Sequence, residues 1–252
     1  MEWTDSALVL NLGTFRETDV WLNLLTARHG LVHVFAFGGR RSRKRFPGCL
    51  DILNFIRLRV ASGKNSQFLN LQEATLTKGP RNLRTNSLRF GMMMNCIRFL
   101  ESLEIPQENS KSVFSLISSI MDILEDSSAI PETLPILFRL RLASDQGYVP
   151  AFNCCTSCSK PLLAPSQPAA YWDIAGGAVQ CRECMARKGS QGYQRLSAAM
   201  LALLNSVQHH APQDWLRCLP APGEARACTR LIDDFVQYHL GIVWNHGRFC
   251  KT

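Results

Sequence analysis

The chain has 252 residues and a formal net charge of +8, with 28 lysines and arginines against 20 acidic residues. This length allows one or two domains with a real core, and 46% apolar residues is ordinary for a globular protein. No stretch approaches the roughly 18 uninterrupted apolar residues of a membrane span, and no basic segment followed by an apolar one opens the chain. We therefore expect a soluble, cytoplasmic protein with no membrane partner.

Short apolar segments separated by turn signals occupy the first eighty residues. In one of them, Ile56, Leu58 and Val60 alternate with Arg57 and Arg59, as in a half-buried strand. Five short strands favour closure, which hides the sheet edges, and predict an OB-fold barrel. The predicted strands are 7–12, 20–26, 31–37, 51–60 and 67–71. Four aromatic residues are expected in the barrel core, with a role as base-stacking platforms as the less favoured alternative: Trp21, Phe35, Phe55 and Phe68.

From about residue 80 the apolar period changes from two to 3.6, which predicts helices. The overall fold class is thus α+β and multidomain, with a barrel over 1–80 and a helical domain over 81–252. The helical stripes are Met93–Leu103, Val113–Leu124, Leu134–Phe138, Leu196–Val207 and Cys228–Ile242.

A strongly basic segment lies between the third and fourth predicted strands. Glycines and a proline at 38–39 and 47–48 enclose five cations within six positions, so the segment must be an exposed loop. We call residues 38–48 the basic loop, and its cations are Arg40, Arg41, Arg43, Lys44 and Arg45. A solvated loop that only aids solubility is the simpler interpretation.

The distribution of charge argues against that simpler interpretation. Residues 1–90 hold 14 basic and 6 acidic side chains, a net charge of +8, whereas residues 91–252 hold 14 of each. An excess confined to one region points to nucleic acid or another anionic partner. Phosphate contacts are therefore predicted for the loop cations, with Lys64, Lys78, Arg81 and Arg84 extending the track. Phe46 is either a base-stacking residue or a core anchor.

The position of the basic loop between the third and fourth predicted strands is unusual for an OB-fold. OB-folds commonly bind through the loops after the first and fourth strands, whereas the basic loop follows the third. Either the strand count is off by one, or the other end of the barrel is used.

Two Cys-x-x-Cys pairs, 155/158 and 181/184, are separated by 22 residues. Such pairs form tight turns that bind one ion with both thiolates, so Cys155, Cys158, Cys181 and Cys184 predict one structural Zn²⁺ per chain. Trp172-Asp173 and Gly176-Gly177 predict a hairpin between the pairs, and the whole predicts a zinc ribbon inserted at 150–190. Cys154 could in principle ligate instead of Cys155, but Cys155 matches the spacing of the second pair.

Other classes of function fit the residues less well. There is no phosphate-binding GxxxxGK[ST] or GxGxxG motif, and four thiolates leave no open zinc position, so we expect no enzyme, and a zinc-dependent hydrolase is the less favoured of two alternatives. A zinc-ribbon module for protein contacts, as in transcription, remains the other alternative.

The order of barrel, basic loop, helical domain and inserted ribbon resembles the RecO family of recombination mediators over nearly the whole chain. The resemblance is carried by residues 25–31, 36–45 and 46–50 together with the cysteine pairs. One departure is Phe37, since the family usually has Ala-Lys-Gly-Ala where this chain has Ala36-Phe37-Gly38-Gly39.

The resemblance implies a bacterial, nucleoid-associated DNA-repair protein. Such proteins bind single- and double-stranded DNA and anneal complementary strands. With the ring-forming RecR they help RecA replace single-strand-binding protein on DNA, so the implied partners are DNA, RecR, single-strand-binding protein and, indirectly, RecA.

Overall fold

The computed structural model describes residues 2–62, 68–164, 169–189 and 191–251. The chain divides into two compact units: residues 1–90 with 103–118, and residues 91–102 with 119–252. Residues just beyond 80 thus belong to the same unit as the barrel. Among the described helices, none is long and apolar enough to cross a membrane.

The first unit is built on a closed five-stranded barrel of order β1-β2-β3-β5-β4. Neighbouring strands are antiparallel except β3 and β5, which pair in parallel and close the barrel. The N-terminal barrel predicted from the sequence is confirmed. The strands are Glu2–Thr14 (β1), Val20–Thr26 (β2), Gly30–Ala36 (β3), Phe55–Ser62 (β4) and Leu69–Lys78 (β5).

The barrel core is formed by the inward-facing residues of every strand. Leu22, Val34 and Ile56 are fully buried. Arg57 and Arg59, which alternate with the apolar residues of β4 as predicted, are exposed. Phe55 is buried as expected. Along β2 and β3, successive side chains alternate between the core and the outer face, and this alternation decides which of the other aromatic side chains face inward.

The core prediction is wrong for three of the four aromatic residues. Trp21 and Phe35 are half-buried on the outer face, because their neighbours Val20, Leu22 and Val34 occupy the core. Phe68, which immediately precedes β5, is 57% exposed.

Helices dominate the rest of the chain, and the predicted stripes form the helical cores. Three stripes extend beyond their helices: Leu103 follows the end of one helix, Leu196 lies in a strand that precedes another, and Ile242 lies in a strand that follows a third. Gly241, in the left-handed conformation at φ 61°, ends that last helix before Ile242. The helices are Asn82–Thr85 (α1), Ser87–Glu101 (α2), Ser110–Asp126 (α3), Leu134–Asp145 (α4), Arg182–Lys188 (α5), Ala198–His209 (α6), Pro212–Trp215 (α7) and Pro222–Leu240 (α8).

Two small sheets complete the second unit. Ala169–Asp173 (β6) pairs with Ala178–Gln180 (β7), which confirms the hairpin, and also with Tyr193–Ser197 (β8). Ile242–Asn245 (β9) and Arg248–Lys251 (β10) form a separate hairpin that the sequence reasoning did not predict. At the centre of the ribbon sheet, Trp172 is fully buried. Its ring centroid lies 5.2 Å from that of Phe152 and 5.3 Å from that of Phe235 on α8.

Candidate nucleic-acid interface and metal centre

The basic loop follows β3 and contains no helix or strand. All five of its cationic side chains are exposed. Arg40, Arg41, Arg43 and Lys44 make no ion pair with any residue in the described ranges. Since neighbouring like charges repel and no carboxylate neutralises them here, the loop presents a concentrated positive potential to solvent.

The loop is bonded to the turn between β1 and β2. The backbone N–H of Gly38 donates to Oδ1 of Asp19 at 2.7 Å, and the N–H of Arg40 donates to the carbonyl oxygen of Thr18 at 3.1 Å. Gly38 has φ 65°, a conformation that favours glycine.

These bonds show which turn of the barrel the basic loop lies against. The strand count is right, because the loop does join the third and fourth strands. The loop nevertheless lies against the turn after the first strand, which is one of the two loops through which OB-folds commonly bind.

The C-terminal end of the basic loop is held by side chains buried in the barrel core. Of the two alternatives for Phe46, the structure supports the core anchor, because this side chain is only 3% exposed and packs in the barrel core. Cys49 is fully buried beside it, and the carbonyl oxygen of Arg45 accepts the backbone N–H of Ala74 in β5 at 2.9 Å. The guanidinium of Arg45 donates to the carbonyl oxygen of Phe37 and lies 4.8 Å from the ring centroid of Phe46. Arg45 therefore holds the loop closed.

Asn54, which immediately precedes β4, is a buried polar residue that connects the end of the basic loop to the rest of the barrel unit. It is 3% exposed, and its side-chain amide donates to the carbonyl oxygens of Gly48 at 2.9 Å and Cys49 at 3.3 Å. Its Oδ1 accepts a hydrogen bond from Arg84 at 2.9 Å. Arg84 also pairs with Asp51 at 3.0 Å. The structure thus gives Arg84 an anchoring position, and its predicted DNA contact stays a prediction.

Three other cations are predicted to contact DNA, and the structure describes the positions of two of them. Lys78 is exposed at the end of β5 and Arg81 is exposed just before α1. Lys64 lies outside the described residues. Their predicted DNA contacts remain predictions.

Two cavities flank the basic loop. The first, of about 740 Å³, we call the first basic cleft. Its lining includes Arg40, Arg43, Thr14, Val20 and Asp51. The second, of about 300 Å³, we call the second basic cleft. Its lining includes Lys44, Arg45, Arg57, Arg59 and Glu73.

The second basic cleft holds a cation that the sequence reasoning did not select. Arg59 is neutralised by Glu2 at 2.7 Å and Glu73 at 2.9 Å, whereas Arg57 has no ion pair among the described residues. The alternation in β4 placed Arg57 on the outer face, but the sequence could not show which of the two arginines has carboxylate partners.

The sequence reasoning also missed an outer surface of aromatic residues beside the loop. These side chains we call the aromatic row: Phe15, Trp21, His33, Phe35, Phe37 and Phe68. Each ring contacts at least one other ring of the row.

The four cysteines of the two pairs come together in space. Their four sulfur atoms all lie within 4.8 Å of one another, and they belong to Cys155, Cys158, Cys181 and Cys184. The sulfurs of Cys158 and Cys181 are 3.8 Å apart. Four thiolates bound to one tetrahedral ion, with metal–sulfur bonds of about 2.3 Å, would be separated by about 3.8 Å. The cluster is therefore a possible metal site.

Two backbone turns build this cluster. Ser159 donates its N–H to the carbonyl oxygen of Cys155 at 2.8 Å, with φ 58° at Ser159. Cys181 precedes α5, and Cys184 lies in the first turn of that helix. Thr156 joins the two turns, because its N–H and hydroxyl both donate to the carbonyl oxygen of Val179 at 2.8 Å.

The thiols have strongly perturbed acidities. Burial tends to raise the pKa of Cys155, but backbone N–H groups, first among them that of Cys181 at 3.4 Å, donate to its sulfur and bring the pKa down to about 6. The adjacent thiols of Cys158 and Cys181 raise the pKa of Cys184 to about 12. Crowded thiols compete in this way because negative charges at short range repel one another, so one thiolate disfavours the ionisation of the next.

Cys154 has a different position from its neighbour. It forms an isolated β-bridge with Pro161 and is absent from the group of converging sulfurs. Cys155 is 1% exposed and its sulfur faces the other three.

Comparison with known proteins extends over both units. Residues 1–80 match the family described as Recombination protein O N terminal, and residues 84–248 match Recombination protein O C terminal. The chain is 44% identical to the DNA repair protein RecO of Lawsonia intracellularis, with both chains covered completely. It is 40% identical to the DNA repair protein RecO of Nitratidesulfovibrio vulgaris, with 99% of each chain covered. It is 34% identical to the protein of that name from Solidesulfovibrio magneticus, again over both full chains. The chain therefore belongs to the RecO family of DNA repair proteins.

Proposed function

We propose that this chain binds single- and double-stranded DNA through the basic loop and anneals complementary strands. The observation that carries the proposal is the loop itself: four exposed cations without carboxylate partners in the described chain, on a segment anchored to the barrel at both ends. Phosphates would be contacted by Arg40, Arg41, Arg43 and Lys44, with Arg57 as an addition from the second basic cleft. Annealing then needs no chemical catalyst, because the cations reduce the repulsion between two phosphate backbones.

Membership of the RecO family supports an interaction of this chain with other recombination proteins. We infer that the chain acts with RecR to help RecA displace single-strand-binding protein, as the resemblance implies. The DNA-binding domain would be residues 1–80, and the helical domain 81–252, neutral beyond residue 90, would provide the surface for protein partners. A RecA strand-exchange assay on DNA coated with single-strand-binding protein tests this, since RecR and the chain together should stimulate exchange.

The ion proposed for the cysteine cluster is one structural Zn²⁺. Support comes from an all-thiolate donor set and from sulfur separations that fit a tetrahedral zinc ion. Zinc there would fix the two turns of the ribbon, 150–190, and would supply no catalysis because all four positions are occupied by protein. The residues that hold it would be Cys155, Cys158, Cys181 and Cys184.

The test of DNA binding compares two charge-matched variants. Arg40→Ala/Arg43→Ala removes two cations of the first basic cleft. Arg226→Ala/Arg230→Ala removes two exposed cations from α8 in the other unit. Binding to a fluorescent oligonucleotide should weaken at least about tenfold in the first variant and by little in the second. Equal effects of the two variants, or none, would instead favour the protein-contact module.

A further inference from the structure

The outer face of β2 and β3 carries aromatic side chains where an isolated barrel would carry polar ones. In the aromatic row, Phe15 is 48% exposed, Phe37 is 46% exposed and Phe68 is 57% exposed. Single exposed apolar side chains are ordinary, but several that lie together on one surface are typical of a binding site.

The rings are organised around Phe35. Its ring centroid lies 5.5 Å from that of Phe15, 5.1 Å from that of His33 and 5.3 Å from that of Phe68. The ring of Phe37 is 6.4 Å away and nearly parallel to it, at 20°. The rings therefore form one continuous aromatic surface, in which most neighbouring rings meet edge to face.

The backbone makes room for this surface at the far end of the row. Trp21 pairs with Gly13 across β1 and β2, and a Cβ at Gly13 would lie 2.5 Å from the indole ring. The absence of a side chain at Gly13 lets the indole lie flat on the strand. His33 then stacks on Trp21 at 5.6 Å and 24°, and its Nδ1 is 2.6 Å from Oδ1 of Asn23. These contacts fix the rings of Trp21 and His33 before any ligand arrives, which reduces the entropy lost on binding.

Cations lie where the row meets the basic loop. The guanidinium of Arg16 lies 5.0 Å from the ring centroid of Phe15. Thr14 and Val20, which flank the turn carrying Phe15, line the first basic cleft together with Arg40 and Arg43. A ligand that spans both features must have flat apolar groups on one side and a row of negative charges on the other.

We propose that the aromatic row stacks the unpaired bases of single-stranded DNA while the basic loop holds the phosphates of the same strand, an inference that rests on the proposed function. Bases in a duplex are already stacked on one another, so the row discriminates single strands from duplexes. Aromatic platforms beside positive grooves bind single strands with little sequence preference, because every base has a π-face. The row thus holds a strand with its pairing edges available to a complementary one.

The test uses Phe15→Ala/Phe37→Ala, which removes two exposed rings and leaves the barrel core and the loop cations intact. Three probes of equal length are compared by fluorescence anisotropy: oligo(dT), an abasic oligonucleotide with the same phosphates, and a duplex. The variant should lose at least about tenfold in affinity for oligo(dT). Its affinity for the abasic and duplex probes should not change, and Phe37→Trp should retain the affinity for oligo(dT).

Controls separate failure of this inference from failure of the proposed function. Leu88→Ala/Tyr238→Ala removes two exposed apolar side chains, 60% and 64% exposed, outside the row and should bind every probe as the wild type does. Unchanged oligo(dT) binding in Phe15→Ala/Phe37→Ala would overturn the stacking role and assign the row to protein contacts, while the loop could still bind phosphates. An equal loss on the abasic probe would also overturn it. If the wild-type chain bound none of the probes, the proposed function itself would fall.

Discussion

The backbone N–H of Gly38 donates to the carboxylate of Asp19 at 2.7 Å, and this bond fixes the start of the basic loop to the turn after the first strand. Asp19 is only 8% exposed, although it lies in the most basic region of the chain. Its position is therefore explained by the loop backbone that it holds and not by contact with solvent.

Replacement of Asp19 separates anchoring from net charge. Asp19→Ala removes a negative charge near the loop, and charge alone would then raise affinity for DNA. Because the loop also loses its anchor, we expect DNA affinity to fall a few-fold and stability to fall by about 1–2 kcal/mol. Asp19→Asn keeps an oxygen acceptor without the charge and should bind DNA at least as tightly as the wild type. Tighter binding by Asp19→Ala in the same titration would show that the anchor is unimportant.

The structure also makes a prediction about the outer face of the barrel. A Cβ at Gly13 would lie 2.5 Å from the ring of Trp21, so Gly13→Ala must displace the indole or the strand. We expect a loss of about 1–3 kcal/mol in the free energy of unfolding.

Gly91→Ala is the matched control for that substitution. Gly91 lies within α2, and a Cβ there would meet nothing within 4 Å. Alanine is the better helix former, so this variant should gain about 0.5–1 kcal/mol. Chemical denaturation of both variants measures the two effects, and the same sign in both would contradict the packing account.

The metal prediction concerns which cysteines ligate. Purified protein should hold one zinc per chain, and Cys155→Ser should lose it, because Cys155 is one of the converging sulfurs. Cys154→Ser should retain one zinc per chain. Plasma mass spectrometry of both variants measures the ratio, and loss of metal from the Cys154 variant with retention by the other would reverse the assignment.

A buried arginine makes the second unit sensitive to a single substitution. Arg139 is 7% exposed and bonds Asp233 at 2.5 Å and Asn95 at 2.8 Å, and its guanidinium lies 4.7 Å from the ring centroid of Phe249. Burial lowers the pKa of Arg139, opposed by the nearby carboxylate. Arg139→Ala should cost about 3 kcal/mol, since it leaves a partly buried carboxylate unpaired. The double variant with Asp233→Asn should recover part of that loss in denaturant titrations, and no recovery would show that ring packing dominates.

Features with a local chemical cause could be predicted from the sequence. Strand β2 has the predicted bounds, since a polar turn precedes Val20 and a turn follows Thr26. The basic loop had to be exposed because its charges cannot be buried, and the spacing of the cysteine pairs required their convergence.

Features that depend on tertiary context could not be predicted in the same way. Strand β3 is apolar on both faces, so periodicity could not show that Val34 faces the core while Phe35 faces outward. Strand β5 is longer than expected, because polar residues such as Glu73 and Thr75 occupy its outer face and obscure the strand pattern. The anchoring of the loop depends on Asp19, Phe46 and Asn54, which are far apart in sequence and meet only in the folded barrel.

The affinity of the wild-type chain for single-stranded DNA over a series of salt concentrations shows whether the basic loop binds phosphates. If Arg57 and the four loop cations without a partner neutralise about five phosphates, the logarithm of the association constant should fall against the logarithm of salt concentration with a slope of about −3 to −4. A slope near zero would rule out phosphate binding by the basic loop, because binding would then release no counterions.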